Sequence, residues 1–316
     1  MAWAARRIAV SLALVWIVAS IVFLVIHIVP GDPAELLLSS GGFAPDPAAV
    51  AELRERLGLD RPLLAQYAAY LGALLRGDLG TSLVDDFPVA QEILLRLPRT
   101  LELIGAGALI AVAAGIPAGT WAALRRGGAF DQIASATAAL LLAVPVFVVG
   151  TLLVLVFAQL LRWMPAGGYV ALADDPWRHL ILLSLPALAI GKGLVAVVFR
   201  MTRTAVLDAL SRDYVRTARA KGLSPARVLL RHVVRNALIP VLTVLALHMG
   251  SLLGGTVLVE YVFNWPGLST PLLRAVEARD YPMVVGIVVT ISALFVLLNL
   301  AMDLIYAALD PRIRAA

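Results

Sequence analysis

Charged and polar side chains inside long apolar stretches are the residues here whose chemistry stands out, because a charge in a low-dielectric medium is expensive to keep. Lys192 lies between two glycines in the apolar run 180–199, seven residues before its basic end. Two readings of it stand: a residue on a polar pathway that meets a carboxylate, or a side chain that snorkels to the nearby interface or joins an internal ion pair. Asn299 and Asp303 are spaced i, i+4 and so share one face of a helix in the last apolar run. Asp303 is either a partner for Lys192 or another chain, or a hydrated group near the end of that run. His248 stands in a Gly-rich stretch, where a packed, hydrogen-bonded histidine is the ordinary case and a ligand the rarer one. Glu102 and Glu260 are expected at the membrane–water interface, where a carboxylate is cheap.

Catalytic patterns are missing. The sequence has no G-x-x-x-x-G-K-[ST], H-E-x-x-H or G-x-S-x-G, and Gly191-Lys192-Gly193 lacks the spacing that cradles a nucleotide phosphate. The four histidines are scattered without metal-ligand spacing, and there is no cysteine. The chain is therefore not expected to be an enzyme or to hold a cofactor or metal of its own. A net charge of +5 is no nucleic-acid footprint, since the cations collect at the ends of apolar runs.

The elements that position these residues are membrane helices. Of 316 residues 61% are hydrophobic and 15% charged, with a mean hydropathy of +0.90; a soluble domain is nearer half apolar and a quarter charged. Residues 8–28 hold no Asp, Glu, Lys or Arg and span roughly 30 Å as a helix, the thickness of the bilayer core. A signal peptide would have a shorter apolar region and a cleavage site of small residues, which is absent before Pro30. Five further spans are read at 101–124, 133–161 (with Pro145 inside), 180–199, 237–263 and 283–309. Gly115-x-x-x-Gly119 and Gly250-x-x-x-Gly254 are spaced for close helix approach. Trp163, Tyr169 and Trp177 suit an interface. The expected fold is all-α: six transmembrane helices with a long extracytoplasmic segment after the first and a structured cytoplasmic loop between the fourth and fifth. The division is 1–30, an N-terminal span; 31–99, an extracytoplasmic helical segment; and 100–316, a five-helix core. In the segment 31–99, Asp46-Pro47 opens a charged helix to Leu57, Pro62–Leu75 is a second helix, and Gly77–Gly80 a turn.

Of the 26 Lys and Arg residues, 15 fall in the N-terminus, the 125–131 loop, Arg200–Pro240 and the C-terminus. By the positive-inside rule these are cytoplasmic, both termini included. Arg200–Pro240 alone carries eight arginines and one lysine. Residues 202–210 and 214–221 contain no Pro or Gly; Gly222 then ends a helix, and Ser224-Pro225 opens the next as N-cap and N1. In that second helix Val228, Leu229, Val233 and Val234 take one side, and Arg227, Arg231 and Arg235 the other. The loop is thus a helix, a break at 220–224 and a second helix.

Tyr214–Gly222 followed by Asn236–Pro240 resembles the cytoplasmic coupling loop of ABC-importer permease subunits, in the dipeptide, oligopeptide and nickel branch. Arg216, Thr217 and Ala218 stand where the general pattern has Glu-Ala-Ala, and Gly222 stands at its glycine; the Glu and one Ala are missing, and Pro240 lies further along than usual. LGLDRPLLAQY (57–67), LLRGDLGTSL (74–83) and the ending Asp310-Pro311-Arg312-Ile313-Arg314 resemble the same branch. The resemblance implies a peptide permease subunit of the bacterial or archaeal cytoplasmic membrane. It further implies a second homologous permease, two cytoplasmic ATPase subunits that hold ATP and Mg, and an extracytoplasmic solute-binding protein. ATPase coupling then falls to Tyr214, Arg216, Thr217, Ala218, Lys221 and Gly222, with Tyr214, Ala218 and Gly222 as the docking face. Lys192, His248, Asn299 and Asp303 are the pathway candidates, and a peptide carboxylate is what Lys192 would meet. The segment 31–99 is a lid, a binding-protein contact, or both. A transporter or channel working without ATP is the alternative class; six spans without a repeat and a large folded loop speak against it.

Overall fold

The computed structural model describes residues 2–28, 35 and 46–309. The ending Asp310–Arg314 and most of 29–45 lie outside the described residues. All regular elements among those described are helices, with one isolated antiparallel bridge between Thr81 and Pro88. The chain forms two compact units, Met1–Pro98 with Gly267–Leu300 and Arg99–Pro266 with Ala301–Ala316.

In the first unit, α1 (Ala2–Ile28) is followed by α2 (Pro47–Leu57) and α3 (Leu63–Leu75). Asp46 accepts from the Ala48 N–H (3.0 Å), with Pro47 at N1, as the sequence predicts. The α2 helix closes with Gly58 left-handed, its N–H on the Glu55 carbonyl and that of Leu59 on Arg54. Aromatic side chains pack α3 onto α1. Phe23 stands against the Tyr67 and Tyr70 rings at 5.3 and 5.4 Å, Ser20 and Tyr67 hydroxyls meet at 2.5 Å, and Tyr70 donates to the Ala19 carbonyl. The 77–80 turn is present: Asp78 accepts from the Gly80 N–H. The start of α4 (Val89–Leu124) packs Val89 and Ile93 against Leu268, Ala275, Met283 and Ile287, from and around α11 (Ser269–Glu277) and α12 (Tyr281–Leu309). Buried Asp280 accepts from Ser82 (2.5 Å) and from the N–H groups of Leu83 and Met283.

The second unit holds the rest of α4, α5 (Ala129–Ala143), α6 (Val146–Leu153, running on as a π-helix to Leu160), α7 (Pro176–Leu210), α8 (Asp213–Ala220), α9 (Pro225–Arg227), a π stretch (Val228–Val234) and α10 (Arg235–Val262). Glycines bring α4 and α7 together. A Cβ on Gly107 would lie 2.7 Å from Ile190, one on Gly115 2.8 Å from Val198, and one on Gly119 2.6 Å from the Phe199 carbonyl. The spacing Gly115-x-x-x-Gly119 is thus a contact surface. At the second such motif, Gly254 and Gly255 have open space where a Cβ would go.

Among the described residues, five helices are long and apolar enough to cross a bilayer, and α5–α6 makes a sixth if that pair counts as one span. The third span, expected at 133–161 with Pro145 inside, is bent by 105°, because Pro145 has no N–H to continue the ladder. The α4 helix begins at Val89 and runs through Pro98 and Pro117, so the expected boundary at Arg99 falls inside a helix. The α7 helix absorbs both the fourth span and 200–210 without a break. The α11 helix was not foreseen. Trp163 and Trp177 are exposed, but Tyr169 packs edge-on against His179 and Trp265 beneath the Arg99 guanidinium.

Candidate coupling site

A 35-residue helix is about 52 Å long, well beyond the bilayer core, so α7 carries its basic end out of the apolar layer. There the chain turns at Ser211-Arg212 and enters α8, where Asp213 in the first turn complements the helix dipole. Val215 and Ala218 point inward, into a cluster with Ala123, Val206, Val228 and Val233. Tyr214, Arg216, Thr217, Arg219 and Lys221 are exposed. Ala218 is only 6% exposed, which corrects its placement on a docking face: its methyl group holds α8 against its own bundle. The ion pair of Arg216 with Asp213, at 3.6 Å, is solvated and worth little.

The elbow closes as its sequence predicts. Gly222 is left-handed (φ 76°), its N–H on the Arg219 carbonyl and that of Leu223 on Ala218. Pro225 follows at N1, while the Ser224 hydroxyl makes no cap bond. The π stretch explains the next pattern. Val228 and Val233 are five residues apart and both buried, which the wider turn allows and a regular α-helix would not. Arg227, Arg231 and Arg235 are exposed. Beside the elbow, a cavity of about 410 Å³ is lined by Asp208, Arg212, Tyr214, Asn236, Ile239 and Pro240, among others.

Two side chains tie α5 to α7. Arg203 forks onto Asp131 through Nε (2.5 Å) and Nη2 (2.8 Å), and Asp131 also accepts from the Gly127 N–H. This pair escaped the sequence reading, because 72 residues separate its members. Further along α7, Lys192 is 9% exposed and its Nζ donates to the carbonyls of Leu141 (2.6 Å) and Val144. Leu141 O is the acceptor that the missing N–H of Pro145 would have served. Lys192 therefore caps the break in the third span, a role that neither sequence reading contained.

The other pathway candidates are placed separately. His248 is exposed on α10, and Asn299 donates to the Phe295 carbonyl of its own helix. Asp303 lies in α12, and its side chain is outside the described residues. Glu260 is fully buried within the chain and accepts from Thr100 at 2.6 Å. Glu102 reaches His179 Nε2 at 2.8 Å, while His179 Nδ1 faces the Val170 carbonyl. This second tie between α4 and α7 was also missed.

An all-helical, multi-span chain with a helix–break–helix elbow and no catalytic motif has the build of a transport permease. Residues 115–315 match the family described as binding-protein-dependent transport system inner membrane component, and residues 1–104 match its N-terminal counterpart. The chain belongs to this family, the permeases of binding-protein-dependent ABC importers; it is a multi-pass inner-membrane protein and not an enzyme. It is 44% identical over 298 residues to the glutathione transport system permease protein GsiC of Pectobacterium atrosepticum, with 94% of each chain covered. To the protein of the same name in Escherichia coli (strain K12) it is 42% identical over 309 residues, covering 98% of this chain and 97% of the relative. The family places it in a complex with ATPase and binding-protein components.

Proposed function

We propose that this chain forms one half of the translocation pathway of an importer for di- and oligopeptides, tripeptides such as glutathione included, and that its elbow receives the ATPase subunits. The exposed face of α8, cationic and backed by a packed cluster, carries this reading. Tyr214, Arg216, Thr217 and Lys221 make the contact, Gly222 sets the angle of the elbow, and Ala218 braces the helix from behind. ATP and Mg stay on the partners. The cation distribution supports placing the elbow and both termini in the cytoplasm. A solute-binding protein then meets the opposite side, where 31–99 serves as lid and contact. Residues 1–30 and the core 100–316 supply the spans. A second, homologous permease faces α10, whose Leu247, Gly254, Leu258 and Tyr261 are exposed. Lys192 shapes the pathway by holding the bend, and His248, Asn299 and Asp303 are its polar lining.

The test is uptake of radiolabelled glutathione and dialanine by cells expressing the complete importer, together with ATPase co-purification. Thr217→Glu is expected to reduce bound ATPase and uptake together while the permease remains in the membrane. Unchanged ATPase binding in Thr217→Glu and Lys221→Glu would remove the elbow from the interface. Failure of both peptides to be taken up or to compete would remove the substrate class.

A further inference from the structure

A second cavity, of about 380 Å³, lies within the first unit. Its walls come from α1 (Phe23), from α3 (Ala69, Tyr70, Ala73, Leu74) and from the start of α12 (Val285, Gly286). Polar groups in the wall are already engaged. Gln66 donates to the Leu59 and Arg61 carbonyls, Tyr70 to the Ala19 carbonyl, and Asp78 accepts from Gly80. Burial, with Tyr67 alongside, pushes the Tyr70 phenol up to about 12, so it remains a donor at neutral pH. What is left is mainly apolar surface with two charged residues, Asp78 and Arg61, the latter with no carboxylate partner among the described residues.

Two helices independently give the depth of this cavity. Ala19, Ser20 and Phe23 lie five to nine residues short of Ile28, roughly 8–14 Å below that end of α1. Val285 and Gly286 lie roughly 6–8 Å inside the Tyr281 end of α12. Both depths fall within one leaflet of a bilayer whose hydrocarbon core is about 30 Å thick. The α1 helix is lipid-facing, with 11% of its most apolar stretch buried in the chain. Nothing in α3 is buried, and its Leu64 and Leu75 are 81% and 90% exposed. A helix so placed lies in the membrane interface with its apolar side in the acyl layer.

We infer that this cavity holds one acyl chain of a phospholipid, with the phosphate on Arg61. In the orientation proposed above, this is a lipid of the outer leaflet. Arg61 stands two residues before α3, just outside its N-cap Pro62, and the first turn of α3 has no acidic residue to oppose a phosphate. A peptide would need backbone partners that these walls, with their polar groups engaged, do not offer.

The probe is phosphatidylglycerol bearing a diazirine midway along one acyl chain, photolysed in proteoliposomes of the full chain and mapped by peptide mass spectrometry. Adducts are expected at 69–74 and 281–286 as well as on the exposed α1 residues Leu12 and Trp16. Ala73→Phe fills the cavity and is expected to remove the first two sets while sparing those on α1. Arg61→Gln leaves the cavity open and is expected to lower them about tenfold, as loss of a charge-assisted bond implies. Adducts on α1 alone, or cavity adducts indifferent to both substitutions, would overturn the inference. So would their loss when the complete importer is assembled, since the occupant would then be a partner subunit. None of these readouts depends on transport.

Discussion

Two of the breaks between helices of the second unit, at Pro145 within the apolar layer and at Gly222 beyond it, treat the freed carbonyls differently. At Gly222 they are met by the chain's own next N–H groups. At Pro145 no such N–H exists and lipid offers no donor, so an ammonium from α7, 51 residues away, serves Leu141 and also Val144. A break in water is encoded locally; a break in lipid needs a donor brought by tertiary structure.

Substitutions can break or sharpen this contrast. Lys192→Met orphans two buried carbonyls and is expected to lower the thermal midpoint in detergent by roughly 5–10 °C. Adding Pro145→Ala restores an N–H for Leu141 and is expected to recover about half of that loss; no recovery would mean that Lys192 acts otherwise than through the break. Gly222→Val places a β-branched residue at positive φ, a strain of about 1–2 kcal/mol, and is expected to lower the midpoint by roughly 2–5 °C. Amide exchange should quicken in α8 and stay unchanged in α5. Ser224→Ala removes a hydroxyl that caps nothing and is expected to shift stability by less than about 0.5 kcal/mol; a larger loss would show a cap bond formed in solution.

The same contrast marks what could be read from the sequence. The elbow was legible because Gly222 and Ser224-Pro225 act on their own neighbours. Pro145 and Lys192 were each visible, but their meeting was not, since it depends on how α5 packs on α7. The same holds for Asp131 with Arg203 and for Glu102 with His179. Ala218 is a different case. Val215 and Ala218, three apart, share one face of a largely polar helix, so helical periodicity points them the same way; the stripe Tyr214, Ala218, Gly222 followed the family pattern instead. The spacing of Val228 and Val233 fits neither regular helical period well, and the π stretch answers it.

The close contacts between α4 and α7 have a mechanical consequence. Their partners advance in step, from Gly107 with Ile190 to Gly119 with Phe199, and the Glu102–His179 bridge joins the same two helices at the far end. Two rods fastened along their length resist bending far better than one. With the elbow as the ATPase contact proposed above, a push delivered there would travel along a stiff double strut, with little lost to flexing on the way.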